Sequence, residues 1–118
     1  MEMTADQVAA RLDDPTLVIL DVRTPGEYAG AAGYPCDPRQ GHIPGAVHVA
    51  VDELLGRSPD EVRAATGIAE GTEVVTYCHS GQRSAMAAEA LRAAGYSVWN
   101  YPGSWHEWSR RTDLSAEV

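Results

Sequence analysis

Glu73-Val74-Val75-Thr76-Tyr77-Cys78-His79-Ser80-Gly81-Gln82-Arg83-Ser84 is the stretch from which the rest of the chain is read. Its first five residues, rich in β-branched and aromatic side chains, predict a buried strand. The strand ends on Cys78, a short loop follows, and an Ala-rich helical run begins after Arg83. A thiol is thereby set at the C-terminal edge of a sheet, the edge where open α/β sheets bind ligands, with a helix N-terminus behind it. Unpaired N–H groups and the positive end of the helix dipole favour thiolate over thiol. Such surroundings lower a free thiol from about 8.5 to roughly 3.5–7.5. Gly81 allows the loop to curl so that successive N–H groups point at one spot, and Arg83 adds a planar fork of charged donors. The bland alternative is a buried structural cysteine, which does not account for thiol, Gly, Arg and helix start coinciding. Spacing narrows the chemistry. A Cys-x5-Arg loop wraps a tetrahedral phosphate or arsenate, whereas Cys78 to Arg83 is Cys-x4-Arg, and the tighter ring suits one terminal sulfur atom.

Outward from this stretch, residues 17–22 are apolar on both faces, the pattern of an inner strand of a parallel sheet. Residues 46–49 and 97–101 read as further strands, the last at an edge, and a fifth short strand is expected near residue 8 or 33. Between them lie helix signals. Thr4 and Gln7 form a capping-box pattern that opens a helix over 5–12. Thr24 with Pro25 at the first helical position starts a short helix through Tyr28. Residues 52–55 make a helical turn, and Ser58-Pro59-Asp60-Glu61 opens a helix stopped by Gly67. Met86, Ala87, Ala90, Leu91 and Ala94 form one stripe of a helix over 84–94. Ser104 with Glu107 reads as a capping box for a last helix carrying Trp105 and Trp108 on one face. Strands alternating with helices argue for an α/β fold with a parallel sheet of four to five strands and helices on both faces. A chain of 118 residues suits one domain over 1–118.

Charged residues gather near the ends of the first and third strands. Asp21 interrupts the apolar run beside Arg23. Arg23 and Glu27 are four apart and can pair, the bland alternative being a surface pair of little worth. Residues 29–41 form a loop that leaves the same sheet edge as Cys78. In it Cys36 is either a bystander or a resolving thiol that attacks a persulfide on Cys78.

Several of these motifs resemble the rhodanese family of sulfurtransferases. They are the Cys-x4-Arg loop before a helix, Asp21-Val22-Arg23 with Glu27-Tyr28, and Gly41-His42-Ile43-Pro44-Gly45-Ala46. The tail from Tyr101 to Trp108, with Arg111-Thr112-Asp113-Leu114, is similar to the catalytic domain of thiosulfate and 3-mercaptopyruvate sulfurtransferases, although Pro102 replaces the usual Asp. The resemblance implies a rhodanese-like fold in which Cys78 is the catalytic thiolate and carries a persulfide. The loop His79, Ser80, Gly81, Gln82 and Arg83 would hold the terminal sulfur and the anionic donor. Asp21, Arg23 and Glu27 would buttress that loop, and Trp105 would wall the pocket. His79 either donates to the donor anion or points into solvent; His42 is read as structural. Members of this type usually carry two such domains. This chain shows one and is expected to be free-standing, its boundary residues exposed or meeting another copy.

The function expected is transfer of sulfane sulfur from thiosulfate, or a related small anionic donor, to cyanide or a thiol. A persulfide carrier relaying sulfur between partner proteins is the main alternative, then a Cys-loop phosphatase or arsenate reductase, which the loop length disfavours. A non-catalytic regulatory domain would lack the cysteine. No cofactor is expected beyond the covalent persulfide, and no metal, because two cysteines and scattered histidines show no ligand spacing. A net charge of −8 disfavours nucleic acid and anionic membrane as partners and suits docking to a basic relay partner; a homodimer is expected only through the boundary residues that would meet another copy. Two cysteines make no disulfide framework, no apolar run is long enough to span a bilayer, and no secretory signal is visible, so a cytoplasmic location is expected.

Overall fold

Leu17–Asp21 (β1) and Glu73–Tyr77 (β3), the two most apolar runs, lie side by side at the centre of the sheet. The computed structural model describes residues 1–118 and pairs them in parallel, from Leu17 opposite Glu73 to Asp21 opposite Tyr77. Val47–His48 (β2) flanks β1 and Ser97–Asn100 (β4) flanks β3, giving the order β2-β1-β3-β4, parallel throughout. The helices are Ala5–Ala9 (α1), Pro25–Tyr28 (α2), Pro59–Thr66 (α3), Gln82–Ala93 (α4) and Ser104–Trp108 (α5), with a 3₁₀ turn at Val51–Glu53. None is long and apolar enough to cross a membrane.

Side chains alternate across the strands and make two cores. Leu20, Val74, Cys78 and Val98 face a layer containing Val62 of α3 and Ala87, Ala88 and Leu91 of α4. Leu17, Ile19, Val75 and Tyr77 face Val8 of α1 and Trp105 and Trp108 of α5. Helices of five residues do not persist alone in water. Burial of Val8 and of the two tryptophans, worth roughly 1.5–3 kcal/mol for each large side chain, holds α1 and α5 in place.

Two expected capping boxes form, at Thr4–Gln7 and Ser58–Glu61, and the expected N-cap at Thr24 is extended to a third by Glu27, each with both reciprocal bonds. Other expectations need correction. The first helix ends at Ala9 and gives way to turns instead of running to 12. No fifth strand lies near residue 8 or 33: Val8 is buried within α1, and residue 33 is irregular. The extra pairing comes from isolated bridges instead, Glu2 beside Asn100 and His42 opposite Glu117. The N-terminus therefore covers part of the β4 edge, where the Met3 N–H donates to Asn100 O at 2.9 Å. The helix after Cys78 begins at Gln82, two residues earlier than the apolar stripe indicates. Gly81, at φ +97°, turns the chain directly into it.

Candidate active site at the β3–α4 junction

Period-two alternation points Tyr77 toward α5 and Cys78 toward α4. The Cys78 Sγ accepts the Gly81 N–H at 3.1 Å and the Ser84 hydroxyl at 3.4 Å. Gly81 is required twice over: its φ is in the left-handed region, and a Cβ there would sit 2.7 Å from the Pro102 carbonyl oxygen. Buried side chains brace the turn from β3 and β4. The Asn100 amide donates to Gly81 O at 3.3 Å, and the Thr76 hydroxyl to Ser84 O at 3.0 Å. Burial by itself pushes the Cys78 thiol up. The Ser84 hydroxyl and the N–H groups of Ser84, Gly81 and Ser80 outweigh it, so the net direction is down.

The other side of Cys78 is held by α5. The Cys78 N–H donates to Ser104 Oγ at 3.1 Å, while the Trp105 N–H donates to Cys78 O at 2.9 Å and the His106 N–H to His79 O at 3.0 Å. Ser104 has φ +56°, the one non-glycine residue in the left-handed region, a conformation that persists only where surrounding contacts impose it. The expected Ser104–Glu107 capping box is absent. The Ser104 hydroxyl instead serves Cys78 and donates to Tyr101 O at 2.9 Å, and Glu107 accepts from the Tyr101 hydroxyl at 2.7 Å.

Two arginine–carboxylate pairs flank the junction. Arg23 does not pair with Glu27. It is 1% exposed, bonds Asp21 through Nη2 at 2.7 Å, donates to Gly41 O, and lies over the rings of Tyr77 and Trp105. The Tyr77 hydroxyl donates to Asp21 Oδ2 at 2.6 Å and completes a buried network. Glu27 pairs with Arg83 instead, both Nη atoms donating to its two carboxylate oxygens at 2.8 and 3.1 Å. The guanidinium expected to receive a donor anion is thus already matched by a carboxylate, and thiolate at Cys78 is favoured first by the Ser84 hydroxyl and then by the N–H groups of Ser84, Gly81 and Ser80.

The sequence profile of the Rhodanese-like domain matches residues 4–111. The chain belongs to the rhodanese family. It is 32% identical over 126 residues to the thiosulfate sulfurtransferase of Pseudomonas aeruginosa, covering 98% of this chain and 45% of that one. It is also 32% identical over 114 residues to YrkF of Bacillus subtilis, a protein named as a proposed sulfur carrier, covering 95% of this chain and 52% of that one. A crystal structure of a protein provisionally assigned as a thiosulfate sulfurtransferase superposes with a TM-score of 0.85 at 40% identity, covering 99% of this chain and 47% of that one. The rhodanese chain thus spans about half the length of these relatives, and its four-stranded parallel sheet with helices is that of the solved neighbour.

Within this rhodanese fold the expected site residues separate into three groups. Cys78 and Gly81 meet, with Arg83 tied to Glu27 nearby. Asp21, Arg23 and the Trp105 ring form a buried layer on the opposite face of the sheet from α4. Gln82 and Ser80 are exposed. His79 does not point into solvent: it is 9% exposed, and its ring stacks on that of Tyr34 at 3.7 Å. His42 is held as a structural residue is, with Nδ1 2.8 Å from Tyr28 O and its ring stacked on Tyr28. Cys78 itself is 1% exposed, more enclosed than a thiol that meets donors freely. The sequence pattern does not point to Ser84, Ser104 or Asn100 as partners of the thiol loop. Only Ser84 carried a signal, a hydroxyl in the first turn of the helix behind Cys78.

Proposed function

We propose that this rhodanese domain transfers sulfane sulfur through a persulfide on Cys78. The observation that supports it is the convergence of the Gly81 N–H and the Ser84 hydroxyl on the Sγ at a strand-to-helix junction. The Cys78 thiolate attacks the outer sulfur of thiosulfate. The bond between the two sulfur atoms of the donor breaks, sulfite leaves with the electron pair, and Cys78 becomes a persulfide anion. Cyanide then attacks the terminal sulfur, thiocyanate leaves, and the thiolate is restored; a thiol acceptor takes the same sulfur as its own persulfide. The ring of N–H groups stabilises the anionic sulfur at each stage, as an oxyanion hole holds developing charge. These steps are balanced with the thiolate alone and need no organic cofactor. A free nucleophilic thiol suits a reducing compartment such as the cytoplasm.

A second reading is favoured by one pair of observations. Glu27 already neutralises Arg83, and Cys78 is enclosed. A small dianion gains little there, whereas a docked protein that shifts the covering side chains would reach the thiol. In that reading the domain is a persulfide carrier, consistent with its likeness to YrkF, and its acidic surface docks to a basic partner.

The test is incubation with thiosulfate, then intact mass and sulfite assay. The expected result is one added sulfur atom per chain with one sulfite released, both abolished in Cys78→Ser, followed by thiocyanate on adding cyanide. No added mass with thiosulfate, but loading from a protein persulfide, would establish the carrier reading. Cys78-dependent hydrolysis of an aryl phosphate would overturn both.

A further inference from the structure

Beyond the Cys78 cradle, one group of side chains has no part in the chemistry above. The irregular segment between α2 and β2 lays Cys36 and Asp37 against His79, which follows Cys78 directly. One donor atom from each, the Cys36 Sγ, a carboxylate oxygen and a ring nitrogen, lies within 4.8 Å of the other two. From α5, His106 brings Nδ1 to 3.9 Å from Asp37 Oδ1, its ring edge-on to that of His79. Residues 36–37, 79 and 106 are far apart in sequence, which is why no ligand spacing is visible there.

The Asp37 side chain is fully buried, and its two oxygens are treated differently. Oδ1 accepts from Arg110 Nη1 at 2.9 Å. Oδ2 lies 3.0 Å from His79 Nε2, yet the ring N–H direction does not reach it, and both atoms are buried without a hydrogen-bond partner. Buried polar atoms are nearly always satisfied, so an orphaned pair calls for an explanation. A proton shared between them would need the imidazole to turn, since no aligned hydrogen bond joins the two atoms. A cation at a third point, toward which both lone pairs can turn, meets the requirement.

We infer that Cys36, Asp37, His79 and His106 form a site for a divalent cation of the zinc class. Bonds of about 2.3 Å to sulfur and about 2.0–2.2 Å to nitrogen and oxygen place two ligands of one tetrahedral ion about 3.4–3.7 Å apart. The 3.0 Å separation of Oδ2 from Nε2 and the 4.0 Å separation of Sγ from Oδ1 are each within about half an ångström of that. A separation at the outer limit of 4.8 Å closes with a shift of about 1 Å. Cys36 is exposed and the His106 side chain is 53% exposed, so both are able to move in. Arg110 stays on Oδ1 and on the Cys36 carbonyl, holding the backbone. Tyr34, stacked on His79, fixes the plane of the imidazole. Thiolate, imidazole and carboxylate together match zinc and its neighbours better than magnesium or calcium, and binding releases the Cys36 proton.

The experiment is titration of the reduced full chain with cobalt(II), read by its visible tetrahedral bands and thiolate charge-transfer absorption, with zinc competing. The expected result is one ion per chain. Cys78→Ser retains the spectrum, whereas Cys36→Ser loses the charge-transfer band and weakens binding by at least about 100-fold, since even outer-layer partners cost 10–100-fold. His79→Ala weakens binding as well, with circular dichroism confirming that each variant is folded. Absence of saturable binding, an unaltered spectrum in Cys36→Ser, or a spectrum lost only in Cys78→Ser would overturn the site. The spectrum does not depend on turnover, so the site stands or falls separately from the sulfur-transfer proposal.

Discussion

The two arginine–carboxylate pairs beside Cys78 are built from the same chemical groups and have different fates. Arg23 and Asp21 are 1% and 0% exposed in their side chains, Arg83 and Glu27 27% and 7%. Burial disfavours the Arg23 charge, yet the bonds to Asp21 reverse the direction and leave it raised. Burial together with the Asp21 charge likewise drives the Tyr77 hydroxyl well above its ordinary value. Each member therefore depends on the others, and the group is committed to the fold. Arg83 is raised by its bonds to Glu27 while burial works against it. Glu27 is pushed up by burial, but the bonds from Arg83 and Thr24 bring it down overall. This pair keeps a face toward water through Arg83. Between these two pairs, the difference lies in how far water reaches the arginine, 1% exposed at Arg23 and 27% at Arg83.

Breaking the pairs one at a time tests that division. Asp21→Asn leaves Arg23 buried without its counter-charge and should cost about 3–5 kcal/mol in urea unfolding. Glu27→Gln at the wetter pair should cost less, about 1–3 kcal/mol, because the Arg83 it leaves behind still reaches water. Equal losses would erase the distinction. Next in size is Ser104→Ala, which strands the buried Cys78 N–H and should cost about 1–3 kcal/mol. Ser104→Gly also removes the hydroxyl but relieves the positive φ, and should unfold at higher urea than the Ala variant.

The wetter pair is sharpened by steady-state kinetics. Glu27→Gln frees the Arg83 guanidinium and should lower KM for thiosulfate. Arg83→Met should raise it, with about 10-fold, or 1.4 kcal/mol, separating the two variants. Identical KM values would remove Arg83 from donor binding.

The smallest effects are in pH. Glu27 titrates lower folded than unfolded, so its contribution to stability is complete above the unfolded value of about 4.3 and is lost as pH falls through the folded one. Glu27→Gln should lack that part of the acid limb. Cys78 is also lowered, so the loading rate should reach its plateau below the ordinary thiol value of about 8.5. Ser84→Ala, removing one donor to the Sγ, should move the midpoint upward.

The strand leading to Cys78, its inner neighbour over 17–22, two of the working capping boxes and the Thr24 N-cap were legible because each depends on local patterns: apolar runs, N-cap residues, proline at the first helical position. The local rule misled at Ser104. Its spacing from Glu107 matches a capping box, but the Cys78 N–H and the Tyr101 hydroxyl compete for those side chains and win. Arg23 was misassigned for a related reason. Four-residue spacing suggests Glu27, whereas β1 extends through Asp21 and places the Asp21 carboxylate within bonding distance of the Arg23 side chain.

From the order of residues alone come the family, the alternation of strands and helices, and a thiol before a short Gly- and Arg-bearing turn, since these rest on contacts between near neighbours in the chain. Which carboxylate each arginine holds, how far Cys78 is enclosed, and that Cys36, Asp37, His79 and His106 meet at all were settled by folding. Those facts depend on segments separated by dozens of residues, brought together by the packing of the covering segment and α5 against the edge of the sheet. No short-range pattern encodes that placement.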